Sequence, residues 1–190
     1  MMTKALCLAI GLYLFVSTGS AQSHLGIEGQ LAASNLPGYA GSISALKMNP
    51  LPAAGGGLWA DIRLSDYMNF QPSLLFSPKG ALFKEKPSRV DVHLNYLELP
   101  LLLLYRIPCG YDDFFLGGGV YGARGLQGAY RTPWDAGYAA CASYQFSFGA
   151  TLRLRYERGL VNIAPPGGGW MENQSLGLGL GFLFHYNTRD

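Results

Sequence analysis

The chain has 190 residues, with 14 Lys and Arg against 12 Asp and Glu and a formal net charge of +2. That near balance excludes the basic footprint of a nucleic-acid binder. Glycine, at 26 residues, is about twice ordinary usage and aromatics reach 13%, a composition of small barrels and sandwiches rather than of helical bundles.

The N-terminus reads as an export signal. Lys4 gives a positive start, Ala5 to Val16 is apolar, and Gly19-Ser20-Ala21 offers small residues for cleavage. Residues 1–21 are therefore expected to be removed, leaving 22–190 as one domain. No later run approaches eighteen consecutive apolar residues, so helices do not supply a membrane span.

Eight strands follow from period-two patterning. The first, about His24 to Ala33, sets Leu25, Ile27 and Leu31 against Glu28 and Gln30. A Pro-, Gly- and Ser-rich loop covers about Ser34 to Ala54. The second strand, Gly55 to Leu64, sets Leu58, Ala60 and Ile62 against Trp59, Asp61 and Arg63. The third, Met68 to Ser77, sets Phe70, Leu74 and Phe76 against Gln71, Ser73 and Ser77. The charged stretch Pro78 to Val92 breaks the pattern and reads as a loop. The fourth strand, His93 to Ile107, directs Leu97, Leu99, Leu101, Leu103 and Tyr105 one way and Tyr96, Glu98 and Arg106 the other. The fifth, Phe114 to Leu126, is too rich in glycine to assign a facing. The sixth, Asp135 to Phe146, opposes Tyr138, Tyr144 and Phe146 to Asp135, Cys141, Ser143 and Gln145. The seventh, Ala150 to Ile163, alternates Leu152, Leu154 and Tyr156 with Thr151, Arg153, Arg155 and Glu157. The eighth, Leu176 to Tyr186, alternates bulky apolar residues with Gly177, Gly179 and Gly181.

The expected fold is thus an all-β, eight-stranded antiparallel transmembrane β-barrel, an up-and-down meander. Connections are expected to alternate long and short, as in barrels with long external loops and short periplasmic turns. Aromatics near both levels suit interfacial girdles. A soluble barrel would reverse the facing, and the sparse charges here cannot clothe a whole soluble surface.

Four motifs carry a family resemblance. Tyr96-Leu97-Glu98-Leu99-Pro100-Leu101-Leu102-Leu103-Leu104-Tyr105 resembles the Y-L-E-[IL]-P-L-L-L-K-Y strand of PorT-like outer-membrane β-barrel proteins, with Leu104 where that family often has lysine. Phe115-Leu116-Gly117-Gly118-Gly119-Val120-Tyr121-Gly122 is similar to its next strand. Asp135-Ala136-Gly137 and Arg155-Tyr156-Glu157-Arg158-Gly159-Leu160-Val161-Asn162-Ile163 are similar to its D-x-G and R-Y-x-x-G-L-x-N-I segments. Together they span about residues 94–186. The resemblance implies a small OmpA/OmpX-like barrel in a Gram-negative outer membrane.

The side chains of an eight-stranded barrel just fill its interior. Parity directs Glu28, Asp61, Arg63, Glu98, Arg106, Asp135, Arg153, Arg155 and Glu157 inward. Enclosed charges must be paired or hydrogen-bonded, so these nine are expected to form a salt-bridge network centred on Glu98 with Arg153 or Arg155. The glycines at 177, 179 and 181 leave room for Trp59 or Tyr96. Pro100 in a strand interior predicts a bulge.

The cluster Lys79, Lys84, Lys86 and Arg89 reads as an external loop that could contact anionic lipopolysaccharide. No metal or cofactor is expected: His24, His93, His185 and the carboxylates lack ligand-like spacing. Neither G-x-S-x-G nor H-E-x-x-H occurs, and no serine is placed to act as a nucleophile. Cys109 and Cys141 are expected as free thiols. The leading expectation is a non-catalytic structural or interaction protein whose partners are outer-membrane lipid, lipopolysaccharide and envelope proteins. The rivals are a narrow channel or transporter for small solutes, a lipid-active enzyme, and a soluble periplasmic barrel for an apolar ligand.

Overall fold

In the computed structural model, eight strands close on themselves in chain order: β1 (Ser23–Asn35), β2 (Lys47–Arg63), β3 (Met68–Glu85), β4 (Ser88–Cys109), β5 (Asp112–Gly125), β6 (Trp134–Gln145), β7 (Ala150–Gly159) and β8 (Gln174–Leu183). Every neighbouring pair is antiparallel, and β8 returns to β1. The structure describes residues 23–37, 47–85, 88–126, 133–164 and 170–184; at 47–49 and 82–92 it describes the backbone alone. The expected signal segment, Lys86 and His185 lie outside the described residues. No helix among the described residues is long and apolar enough to cross a membrane.

Closure has a definite stagger. The register leads from Ser23 through Ile62, Phe70, Leu103, Gly118, Ala140, Tyr156 and Leu176 back to β1 at Ala33. Position 23 has become position 33, a shift of ten residues in one circuit. Strand number and stagger together set the tilt and the width of the lumen. The parities read from the sequence hold. Leu25, Ile27, Leu31, Leu97, Leu99, Leu103, Leu152 and Leu154 stand exposed on the outer wall, while Glu28, Gln71, Glu98, Arg153 and Arg155 are buried inside. The facing of β5 is settled as well: Phe115 and Tyr121 point in, Leu116 and Val120 out.

Glycine decides how closely the strands approach. A Cβ on Gly119 would collide with the Leu101 carbonyl oxygen, and one on Gly57 with the Leu74 carbonyl oxygen. The run Gly55-Gly56-Gly57 is strand, as the pattern predicts, but β2 begins at Lys47 rather than Gly55, so the expected loop from Ser34 to Ala54 is shorter than its composition implies. Just above that run, β2 carries one more residue than β3 between the Pro50–Ala81 and Gly56–Phe76 pairs. This is the bulge of the barrel, and such an insertion bends a strand and increases its twist.

Three expectations need correction. First, Pro100 makes no bulge: the β4–β5 register runs unbroken from Tyr96 to Cys109, and the β3–β4 register is the same above and below it. The missing N–H interrupts the ladder on one side without moving the frame. Second, β7 stops at Gly159 rather than near Ile163. Third, Pro78 to Val92 is not a loop. β3 continues to Glu85, β4 starts at Ser88, and their pairing is continuous from Leu75–Glu98 to Glu85–Ser88. Charge misled the reading because Lys79 faces an ionic lumen, and beyond the lipid a strand has no need of an apolar face.

The strands are consequently unequal. Crossing a bilayer takes about 9–11 tilted residues. β7 and β8 have 10 each, whereas β2, β3 and β4 have 17, 18 and 22. A three-stranded sheet therefore rises above the rest of the barrel on the side of the long connections. The opposite rim has short turns, at 64–67, 110–111 and 146–149. There an aromatic belt forms, with Tyr67 stacked on Tyr105, Phe146 on Phe148, and Phe182 edge-on to Phe184.

The glycine contacts give a direct test. Gly119→Ala is expected to cost about 1–3 kcal/mol through forced strand separation. Gly29→Ala, where an added Cβ meets nothing within 4 Å, should stay within about 0.5 kcal/mol of the parent. Urea unfolding in detergent, followed by the gel shift between folded and boiled protein, measures both.

Candidate functional site: the closed lumen

The lumen is built from the inward rows of β1, β3, β4 and β7. Its centre is a single ionic chain of alternating sign. Arg153 pairs with Glu28, and Glu28 also accepts from Arg155 at 3.1 Å. Arg155 Nε lies 3.0 Å from Glu157, Glu157 lies 2.9 Å from Lys79 Nζ, and Lys79 Nζ lies 2.6 Å from Glu98. Each of the six side chains is 5% exposed or less. Three cations meet three anions, so the charge of this chain sums to zero. That balance is what burial of charge requires.

Neutral groups flank the ends of the chain. Arg153 donates to Gln71 Oε1 at 3.0 Å, and its guanidinium lies 4.3 Å from the Trp59 ring centroid. Trp59 covers Gly26 and reaches within 3.5 Å of where a Gly181 Cβ would stand, so it fills the space at Gly181, whereas Gln30 lies against Gly177 and Gly179. Tyr96 does not; it lies higher, where Asn173 donates to its hydroxyl. At the other end, the Lys79 ammonium sits 4.4 Å from the Tyr121 ring centroid. Ser175 donates to Glu157 at 3.0 Å. The space between Gln30, Ser77, Lys79, Arg155 and Glu157 has no room for a water molecule.

The nine residues expected to form one network do not all join it. Glu28, Glu98, Arg153, Arg155 and Glu157 belong to the chain. Asp61 adjoins it through Gln71, which donates to Asp61 at 2.8 Å, as does Asn69. Asp135 is held higher up by Tyr121 and Asn173. Arg106 pairs with Asp113 near the short turns, and Arg63 pairs with Asp66 in solvent, so neither joins the central chain. The expected centre also shifts: Glu98 pairs with Lys79, and Glu28 is the carboxylate that binds Arg153 and Arg155.

Lys79 is the residue that sequence reasoning misplaced. It is buried at 1% exposure and cannot meet lipopolysaccharide. Lys84 and Arg89 are strand residues paired with each other near the hairpin tip. Parity was the missed signal: position 79 continues the inward row Gln71, Ser73, Ser77. Without Lys79 the chain would hold three carboxylates against two guanidinium groups.

Above the ions, the mouth on the long-connection side is shut by an apolar lid. Ile163, Ala164 and Met171 from the β7–β8 connection fold inward onto Leu36, Ala81, Leu94, Tyr96 and Tyr121. Asn162 secures the lid, its Oδ1 accepting from the amides of Ala164 and Met171 at 3.0 Å each. The Glu172 amide donates to the Pro37 carbonyl. The apolar residues of this connection are the signal of its infolding. Toward the short turns, Leu102, Leu104, Phe115, Ala139 and Cys141 pack into a second apolar cluster. Cys109 and Cys141 are free, the first exposed and the second buried. Among the described residues no group of three His, Cys, Asp or Glu is arranged to hold a metal.

A wall that is greasy outside, ionic within and closed without an edge defines a small β-barrel that spans a membrane by strands. The chain belongs to the outer membrane protein beta-barrel domain family, whose model matches residues 5–184. This makes it an integral protein of the outer membrane. No curated protein matches it by sequence. Among solved structures it is similar to Ail, the attachment invasion locus protein of Yersinia pestis, crystallised with the heparin analogue sucrose octasulfate, at 18% identity and a TM-score of 0.46, covering 86% of this chain and 99% of that one. It is also similar to Neisserial surface protein A at 11% identity and a TM-score of 0.49, covering 85% and 98%. An outer membrane channel from Pseudomonas putida F1 aligns at 12% identity and a TM-score of 0.32, covering 88% and 97%.

The ionic chain predicts a specific pattern of stabilities. Lys79→Met leaves Glu98 and Glu157 short of a cation and is expected to cost about 3–5 kcal/mol. Adding Glu98→Gln restores neutrality and should recover a good part of that loss. Equal destabilisation by the single and double variants in urea titrations would show that the pairing carries no weight.

Proposed function

We propose that the protein is a non-catalytic interaction protein of the outer membrane, whose barrel is a sealed anchor and whose working part is the protruding β2–β3–β4 sheet. The observation that carries this reading is the lumen: an ionic chain without room for water lies below an apolar lid, so a solute has no path through the folded state. Catalysis has no support either. His24 lies at the short-turn rim beside Asp61 in register, and His93 lies on the protruding sheet opposite Gly80, so the described histidines are at opposite ends of the barrel.

The protruding sheet offers what the barrel lacks. β4 pairs with β5 only from Tyr96 downward, and β2 pairs with β1 only from Leu51 downward. Above those points, both outer margins of the sheet have no described strand beside them. An unpaired strand margin presents a row of N–H and C=O groups that another chain can extend. The four motifs in residues 94–186 support placement in the PorT-like branch of the family. The interior salt-bridge chain is then a structural device, and lipid and lipopolysaccharide are the surroundings of the wall.

Two measurements test this. In planar bilayers the purified protein is expected to give no discrete conductance steps; stable steps would favour the channel reading. Replacing residues 82–91 with a two-residue turn should leave insertion and the boiling-dependent gel shift intact. Surface crosslinking on intact cells should then lose any adduct that the full chain forms. Retention of every adduct would remove the protruding sheet from the function.

A further inference from the structure

The outer wall is not uniformly covered. Its leucines and aromatics stand in rows on β3, β4 and β7, but β1 and β2 present small residues where they pass the long-connection half of the bilayer. Register puts Ala33 beside Pro52 and Leu31 beside Ala54, with Gly29 beside Gly56 just below. The result is a groove of about 460 Å³ with an almost wholly apolar lining. Ala33, Pro52 and Ala54 form its floor, and Leu154, Leu176 and Leu178 form one wall.

Its level in the membrane is defined by the same register. The Ala33 row continues through Leu176 to Tyr156. One step higher on the outer face, Arg158 pairs with Gln174 in register, with its side chain 43% exposed. Trp170 and Glu172 flank it. Tyrosine and tryptophan mark the interface between lipid tail and head group. Because the register climbs ten residues in one circuit, Arg158 on β7 stands level with Ala33 at the upper end of the groove, and the groove runs from that level down into the leaflet on the long-connection side.

Apolarity alone does not select an occupant here, because lipid tails are as apolar as leucine. Shape does. A chain lying in the groove touches floor and wall atoms together and gains dispersion contacts that a smooth wall does not offer. The arginine adds the second requirement, a negative head group. Its present partner Glu172 is 3.4 Å away and also accepts a 2.6 Å hydrogen bond from the Trp170 indole, so Glu172 stays satisfied if Arg158 turns to a phosphate. Arginine suits that task through its planar fork of donors.

We propose that this groove on β1, β2, β7 and β8 is a binding site for one acyl chain of lipopolysaccharide, with Arg158 meeting a phosphate of its head group. Lipopolysaccharide, rather than a phospholipid, is the occupant because long connections mark the external leaflet. The site is remote from Lys79, which is buried in the lumen.

The full chain, inserted in nanodiscs containing lipopolysaccharide and phosphatidylglycerol and then released into mild detergent, can be weighed intact by native mass spectrometry. The parent is expected to retain about one lipopolysaccharide per barrel. Ala33→Phe and, independently, Ala54→Leu fill the groove and should lower retention about tenfold. Arg158→Glu should lower it about fivefold or more, the effect of one interfacial charge. Val120→Phe, on the outer face of β5, should change nothing. The boiling-dependent gel shift confirms that each variant is folded. Undiminished retention in both groove-filling variants would overturn the proposal. So would equal retention of phosphatidylglycerol by the parent. A parent dimer that Ala33→Phe dissolves would give the groove to a second copy of the chain and equally overturn it.

Discussion

Everything in this molecule follows from one constraint: within lipid, each backbone N–H and C=O must find a partner on the protein. A sheet meets that demand only by closing, so β8 must reach β1, and it does so with a stagger of ten residues from Ser23 to Ala33. Closure makes an interior narrow enough for side chains to fill. Whatever polar groups face it must neutralise one another there, since water cannot do so.

The ionic chain is the answer to that second demand. Three carboxylates from β1, β4 and β7 alternate with three cations from β3 and β7, linking strands that are distant in sequence. Replacing such groups with apolar ones can be neutral or even stabilising. Their value here is therefore positional. They pin the register against the slip that the outer leucines would tolerate: a shift of two residues keeps every leucine toward lipid but breaks the ion pairs inside. The apolar lid and the apolar cluster near the short turns enclose this chain from both ends.

The outer surface divides into regions with different tasks. The rows of leucine and aromatic residues meet lipid in general. The depleted strip on β1 and β2 can meet one chain in particular. The tall β2–β3–β4 sheet rises above the rest of the barrel, with no described strand beside its upper margins. A filled lumen and a differentiated exterior are the features on which the proposed role by contact rests.

Period-two alternation showed eight strands, their meander order and the facings of all but the glycine-rich β5 in the sequence, since a strand wall between lipid and a filled lumen writes its two sides onto alternate residues. Five of the six members of the central ionic chain were legible from parity alone. The sixth, Lys79, was not, because a run of charges has the same composition in a solvated loop and in a strand lining an ionic interior. Nor could the sequence show that Pro100 leaves its register unchanged, that Gly55-Gly56-Gly57 allows close strand contact, or that Ile163 and Met171 close the mouth. Those outcomes depend on which backbones and side chains closure brings together across the barrel, and spacing along one strand carries no record of its neighbours.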